Sequence, residues 1–202
     1  MGASFYDPRD AALHELRPAS PPCVGVALAA GAGARERAVA AALSDALTFL
    51  GLEPVAGREI VVGAEAPEPG AVWLKPAPLS GSVPDASGLI ARGFAPADMN
   101  FYLRATHYRR PMAFSWEALV SARAERLRLA AIAREHAAVG QEPSASALAG
   151  YLHRLSEALR RDLDMPEAVA CVRDGLRPGA LSPGSRAALL QRTLALLRID
   201  NV

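Results

Sequence analysis

Short apolar runs and one amphipathic segment alternate along the first 75 residues of the chain. Three of the runs are rich in Val, Ile or Ala and are bounded by Gly or Pro, as strands often are; they are CVGVALAA (23–30), REIVVGA (58–64) and AVWLKP (71–76). Between the first two, residues 34–54 carry apolar side chains at helical spacing, and Gly51 ends the helix. The pattern predicts a β-α-β unit whose right-handed crossover makes the two strands parallel, followed by a third strand.

Helical spacing of apolar residues dominates from residue 89 onward, beyond a Pro-, Ser- and Gly-rich stretch at 76–88 that predicts a surface loop. Ser115, Ser144 and Ser182 fit the N-cap position of three helices. The predicted helices cover about 96–106, 116–138, 145–162, 166–174 and 183–198, with a break at 140–143. Short connections between them indicate a mostly antiparallel helical bundle, so the predicted fold class is α+β and mostly α.

Composition indicates a folded chain and gives an expectation about its compartment. Of the 202 residues, 51% are hydrophobic and 21% are charged, which is typical of a globular protein. No apolar run reaches the length of a membrane helix, and the first 20 residues lack the apolar centre of an export signal. A cytoplasmic location is therefore expected, and Cys23 and Cys171 are expected to be free thiols there.

The formal net charge of +1 is unevenly distributed along the chain. Residues 1–100 hold seven basic and eleven acidic groups, a charge of −4, whereas residues 101–161 hold ten basic and five acidic groups, a charge of +5. The remaining 41 residues hold five of each. Only the middle region gives an electrostatic argument for a polyanionic partner, and a solvated helix face explains it at least as well.

The residue pattern contains one candidate ligand loop and no motif for a metal or a nucleophile. None of the four histidines stands at a zinc-motif spacing from a cysteine, and no G-x-S-x-G sequence occurs, so neither metal nor cofactor is predicted. The Gly-rich turn AAGAGARE (29–36) connects the first predicted strand to the first helix, where free backbone N–H groups can bind phosphate. Gly31, Gly33 and Arg35 therefore form the candidate ligand loop, although such turns are usually structural.

FYLRATHYRRPMAF (101–114) concentrates aromatic and basic residues at a predicted helix end. In one interpretation Phe101 and Leu103 pack inward, while the arginines stay in water and oppose the helix dipole favourably. In the other, the basic and aromatic side chains form a surface for RNA phosphates and unpaired bases. The residues of that surface would be Arg104, His107, Tyr108, Arg109 and Arg110. The residues alone favour the first interpretation.

Two segments of the bundle region resemble cysteinyl-tRNA synthetases. LIARGFAPADMNFYLRATHYRRPMAFSWEAL (89–119) is similar to the junction from their catalytic domain into the helical DALR bundle, where a helix ends in His-Tyr-Arg before Pro and a Ser-capped helix. RRDLDMPEAVACV (160–172) is similar to a second hallmark of that bundle, an acidic pair before a Pro-Glu-Ala helix start. More faintly, FYDPRDAALHELRP (5–18) resembles the family's entry segment, and residues 33–51 resemble the first helix of its Rossmann fold.

The resemblance implies a reduced Rossmann-like α/β region at residues 1–88 and a DALR-like helical bundle at residues 89–202. The chain also departs from the family pattern. ALAAGAGAR (27–35) stands where the family has a zinc-binding Cys and the HIGH motif, and the KMSKS lysines have no counterpart. Too few residues separate the first helix from the bundle to hold the remaining zinc ligands. The resemblance therefore implies a shortened, catalytically inactive paralog rather than an enzyme.

Three functions from different classes follow from these interpretations. The first is a non-catalytic protein that binds tRNA or a protein partner through the bundle surface around residues 104–110. The second is a minimal ATP-dependent ligase that activates cysteine or a related amino acid, for which nucleotide-induced thermal stabilisation is the discriminating observation. The third is a homodimeric scaffold that covers apolar surface left by the missing domains, and a monomeric profile at all concentrations would count against it.

Overall fold

A computed structural model describes residues 2–16, 22–137 and 143–199. The strands are β1 (Ser4–Asp7), β2 (Ala12–Glu15), β3 (Cys23–Leu28), β4 (Glu53–Ala56), β5 (Ile60–Val62), β6 (Val72–Leu74), β7 (Leu79–Ser80) and β8 (Met112–Ala113). The helices are α1 (Ala34–Phe49), α2 (Ala86–Ala91), α3 (Pro96–Arg104), α4 (Trp116–Ala137), α5 (Ala145–Arg160), α6 (Met165–Gly175) and α7 (Pro183–Leu197). Helices make up about half of the chain, which confirms the predicted α+β, mostly α class.

Four short strands form a parallel sheet in the order β4-β3-β5-β6. β3 pairs with β5 in parallel, with Val26 opposite Ile60, so the predicted pairing of the first two strands is confirmed. The sequence pattern misses β4, which follows α1 and pairs with the other edge of β3. Leu43 and Leu47 of α1 are fully buried, and α1 packs on the face of the sheet that carries Ile60 and Val62.

Gly25 of β3 lies close to the backbone of the connection between β4 and β5. A Cβ atom on Gly25 would lie 2.8 Å from Gly57 Cα and 3.0 Å from Arg58 N, both backbone atoms that cannot give way locally. Gly25→Ala is therefore expected to lower the free energy of unfolding by about 1–3 kcal/mol. Gly150→Ala, inside α5 with open space around it, is expected to raise that free energy by about 0.5–1 kcal/mol. Urea unfolding measures both changes, and a stabilised Gly25→Ala protein would contradict the close approach.

The N-terminal residues form an antiparallel β1–β2 hairpin that is tied to β6 through Asp7. The buried Asp7 carboxylate accepts hydrogen bonds from Arg9 Nη2 at 2.6 Å and from Trp73 N at 3.0 Å. Burial raises the pKa of Asp7, but the hydrogen bonds from Arg9 and Trp73 outweigh burial and lower the pKa to about 2. The sequence pattern does not predict this hairpin. The expectation of a loop at 76–88 is wrong in part, because β7 pairs with β8 there and α2 begins at Ala86.

The helices of the bundle region lie close to their predicted positions. Ser115 and Ser182 act as side-chain caps, accepting hydrogen bonds from the backbone N–H groups of Ala118 and Ser185 at 3.3 Å each. Ser144 occupies the N-cap of α5 without a side-chain capping bond, and its own N–H donates to Ser185 Oγ instead. The predicted end of the second helix at 138 and most of the break at 140–143 lie outside the described residues.

One hydrophobic core runs through both halves of the described chain. It includes Phe5 and the buried face of α1 together with buried residues of α3, α4, α5, α6 and α7. α1 itself packs against α3 and α7. No helix within residues 2–16, 22–137 and 143–199 is both long enough and apolar enough to cross a membrane.

Candidate functional site

The two segments that the sequence singles out meet at the carboxylate of Asp162. Asp162 follows α5 with a φ of 56°, a left-handed conformation that Asp tolerates better than most residues, and is 3% exposed. Tyr108 Oη donates a hydrogen bond to Asp162 Oδ1 at 2.5 Å, and Tyr6 N donates to the same oxygen at 2.9 Å. The carboxylate thus joins β1, the loop after α3 and the turn between α5 and α6.

The second oxygen of Asp162 faces the basic side chains of the same loop. Arg109 Nε lies 2.7 Å from Asp162 Oδ2, and the Arg109 guanidinium lies 4.3 Å from the centre of the Tyr6 ring. The His107 ring stacks on Tyr108 at a centroid distance of 4.9 Å, with its Nε2 3.8 Å from Asp162 Oδ2. We call Tyr6, His107, Tyr108, Arg109 and Asp162 the Asp162 cluster.

The protonation states of the Asp162 cluster follow from its burial. Burial raises the pKa of Tyr108, and the nearby Asp162 charge raises it further, so the phenol stays protonated and donates. Burial also lowers the pKa of His107, and this effect exceeds the opposing effects of the carboxylates of Asp162 and Asp164. His107 is therefore neutral at pH 7, and the positive charge of the site comes from its arginines.

An open pocket of about 620 Å³ lies beside the Asp162 cluster, and we call it the arginine pocket. Arg109 and Arg110 reach it from the loop after α3, and Arg161 reaches it from the end of α5. All three arginines are exposed. The two carboxylates of the pocket are already engaged, since Asp162 pairs with Arg109 and Asp164 caps α6 by accepting from Glu167 N at 3.1 Å.

The structure divides the predicted site residues into an exposed group and a buried group. Arg109 and Arg110 are exposed and His107 is partly exposed, and all three line the arginine pocket. Tyr108 is 4% exposed and bonded to Asp162, so it presents no ring face to a base. The expectation that Arg104 stays in water is wrong: it is 3% exposed, and its Nη2 donates to Asp45 Oδ2 at 2.6 Å.

The Gly-rich loop borders another open pocket, of about 640 Å³, at the carboxyl ends of β3 and β5. Arg35 does not serve it, because this side chain is 2% exposed and donates to the carbonyls of Leu103, Thr106 and His107 at the end of α3. Glu36, Glu65 and Arg58 line the pocket instead, so its local charge opposes phosphate. Within the described ranges, no group of three or more His, Cys, Asp or Glu side chains is arranged to hold a metal ion.

Asp162 and Arg161 are the site residues that the sequence interpretation does not assign. Both lie in RRDLDMPEAVACV, whose acidic pair marks the resemblance but carries no predicted role. The available signal is the opposite charge of the two segments, basic at 107–110 and acidic at 162–164. That complementarity indicates that the two segments contact each other. The contact is not apparent when each segment is considered separately.

Comparison with known proteins shows a relationship over a short part of the chain. A 40-residue stretch is 55% identical to cysteine–tRNA ligases from two strains of Treponema pallidum, one of them the Nichols strain. The match covers 20% of this chain and 8% of each ligase. No protein-family model matches the chain. One fifth of the chain is thus similar to a short segment of an aminoacyl-tRNA synthetase.

Proposed function

We propose that the protein binds tRNA without catalysing a reaction, and that the arginine pocket is the contact surface. The observation that carries the proposal is the convergence of Arg109, Arg110 and Arg161 from two separate segments on one open pocket. The short likeness to cysteine–tRNA ligases supports tRNA over other polyanions.

The Asp162 cluster gives the arginine pocket a rigid support. Tyr108 and Asp162 are buried and bonded to each other, so the loop that carries Arg109 and Arg110 is held against the end of α5. Arginines held in place lose less side-chain entropy when they contact a phosphate. The ion pair with Asp162 offsets part of the charge of Arg109, and Arg110 and Arg161 are the further arginines that line the pocket.

A non-catalytic role is favoured by the chemistry of the Gly-rich loop. Transfer of a nucleotide requires cations or donors where charge develops on the phosphates. Arg35 is engaged at the end of α3, and two carboxylates, Glu36 and Glu65, line the pocket beside the loop. A protein partner in place of tRNA would use the same exposed arginines and would show a different salt dependence.

The proposal predicts salt-sensitive binding of total bacterial tRNA to the 202-residue chain, measured by fluorescence anisotropy. Three phosphate contacts predict that affinity falls roughly 40-fold between about 50 and 200 mM salt. The Arg110→Ala/Arg161→Ala variant is expected to bind more weakly and to reduce the slope of log K against log salt by about 2.

A charge-matched control separates this site from general electrostatic attraction. Arg58→Ala/Arg177→Ala removes the same charge from exposed positions beyond β4 and at the far end of α6. This pair is expected to leave the slope nearly unchanged. An absence of binding at about 50 mM salt, or an equal loss in the control pair, would count against the arginine pocket as a tRNA site.

A further inference from the structure

A second open space, of about 380 Å³, adjoins the arginine pocket, and Arg109 lines both of them. Its walls come from the β1 region, from the connection between β6 and β7 and from the loop after α3. They include Tyr6, Pro8, Lys75, Pro76 and Pro78. The volume falls within the range of about 300–1,000 Å³ that is common for small-molecule sites, and most of the lining residues are apolar, as in such sites. We call this space the proline pocket.

The proline wall of this pocket is fixed by the surrounding backbone. Proline locks its own φ, so Pro76 and Pro78 leave the segment little conformational freedom. Ala77 N, between them, donates to Tyr108 O at 2.8 Å, and Pro78 O accepts from Met112 N at 3.0 Å. The segment is thus tied both to the loop after α3 and to β8. A wall that is already in place costs a ligand little ordering entropy.

Arg109 offers a flat surface to a ligand at the boundary of the two pockets. Its guanidinium lies 4.3 Å from the centre of the Tyr6 ring, and its Nε lies 2.7 Å from Asp162 Oδ2. These contacts occupy one face and one nitrogen of the guanidinium, and the side chain is still 43% exposed. The second face and the two terminal nitrogens are the parts that remain for a ligand. Unpaired bases of RNA commonly stack on arginine guanidinium planes.

The charged residues that line the proline pocket are both basic. They are Lys75 and Arg109, and no carboxylate of the described residues lines this pocket. Asp162 offsets part of the charge of Arg109. Lys75 is exposed, and its Nζ lies 5.0 Å from the centre of the Trp73 ring, a neutral neighbour that leaves the ammonium charge intact. The ammonium group is therefore the cation of this pocket that can pair with a phosphate.

We propose that the proline pocket binds one unpaired nucleotide of the bound RNA, whose neighbouring phosphates lie in the arginine pocket. The base stacks on the Arg109 guanidinium beside the wall of Pro76 and Pro78, and Lys75 pairs with a phosphate of that nucleotide. Proteins that bind single strands combine such stacking surfaces with a basic groove along the backbone. The inference rests on the proposed function, because Arg109 belongs to both pockets.

The first test compares two RNA strands of equal charge, measured by fluorescence anisotropy on the 202-residue chain. One is an oligoadenylate of about eight nucleotides, which is within the usual site size for single-strand binding. The other is an abasic strand of the same length, which keeps every phosphate but has no bases. Oligoadenylate is expected to bind roughly 10-fold more tightly, because only this strand can stack.

A pair of aromatic variants assigns the preference for oligoadenylate to the proline pocket. Tyr6→Leu removes the ring that supports Arg109 and is expected to reduce the preference to about 3-fold or less. Phe49→Leu removes a partly buried ring of α1, away from this pocket, and is expected to keep the preference unchanged.

Lys75 gives a direct measure of where the strand lies, because it is the only lysine in the sequence. Acetylation of its amino group by an N-hydroxysuccinimide ester can be followed in a single peptide by mass spectrometry. With oligoadenylate at about 10 times its Kd, mass action is expected to slow this acetylation roughly 10-fold. Lys75→Ala is expected to reduce the slope of log K against log salt for the single strand by about 0.7.

The possible outcomes distinguish this site from the tRNA proposal. The nucleotide site alone is refuted if tRNA binds with the expected salt dependence but the two strands bind equally well, or if bound oligoadenylate leaves the acetylation rate of Lys75 unchanged. Both proposals fail if neither tRNA nor either strand binds at about 50 mM salt. If oligoadenylate is preferred and protects Lys75 while tRNA does not bind, the tRNA proposal alone fails.

Discussion

Replacing Asp162 with alanine is expected to lower the free energy of unfolding by about 3–5 kcal/mol. The substitution removes a carboxylate on which buried hydrogen-bond donors depend. Tyr108 Oη and Tyr6 N both lose their acceptor, and Arg109 loses its ion pair. Alanine also has no side-chain oxygen to compensate a φ of 56°. For a chain of this size, such a loss corresponds to a fall of roughly 10 °C in Tm.

Chemical unfolding of Asp162→Ala measures this loss of stability. Asp164→Ala, which removes a neighbouring carboxylate, is the control. Asp164 is the N-cap of α6, and its removal is expected to cost only about 1 kcal/mol. Asp162→Asn keeps a residue that tolerates the left-handed conformation and should fall between the two. If Asp162→Ala loses no more stability than Asp164→Ala, the Asp162 cluster is not a central support of the fold.

The sequence locates the candidate site but does not tell which of its side chains face solvent. Arginines are almost never fully buried without a partner. Because the nearby sequence shows no partner for Arg104, the sequence predicts that this side chain is exposed. Its partner Asp45 is 59 residues away, and Tyr108 finds Asp162 at a separation of 54 residues. Such pairings depend on how α1 and the α5–α6 turn pack, and helical periodicity carries no information about them.

The helices of the bundle are predictable because each carries several independent signals. The α7 segment, for example, combines a Ser182 cap, Pro183 in the first turn and apolar spacing. The strands β7 and β8, which the pattern misses, have two residues each and contain no alternation that could be recognised. Such short strands form because a partner strand lies beside them. The sequence of one segment does not show which other segment that partner is.

Replacing Asp45 with alanine is expected to lower the free energy of unfolding by about 3 kcal/mol, because two guanidinium groups lose the carboxylate that they share. The side chain of Arg104 is 2% exposed, so its guanidinium stays in the core and keeps its bond to Leu196 O while it loses the Asp45 carboxylate. Arg198, which ends α7, loses both of its hydrogen bonds to Asp45. Asp10→Ala removes an exposed carboxylate from its pair with His14 and is expected to change stability by less than about 1 kcal/mol.

The two tryptophans show whether Asp45 couples the α/β region to the bundle. Trp73 lies in β6 and Trp116 at the start of α4, so Trp116→Phe and Trp73→Phe each leave one fluorescent reporter in one region. Because Asp45 of α1 bonds Arg104 of α3 and the core is continuous, the fluorescence midpoint in urea is expected to equal the circular dichroism midpoint in each of the two variants. Asp45→Ala should lower both midpoints together. A fluorescence midpoint that differs from the circular dichroism midpoint of the same variant would instead mean that residues 1–88 and 89–202 unfold as independent domains.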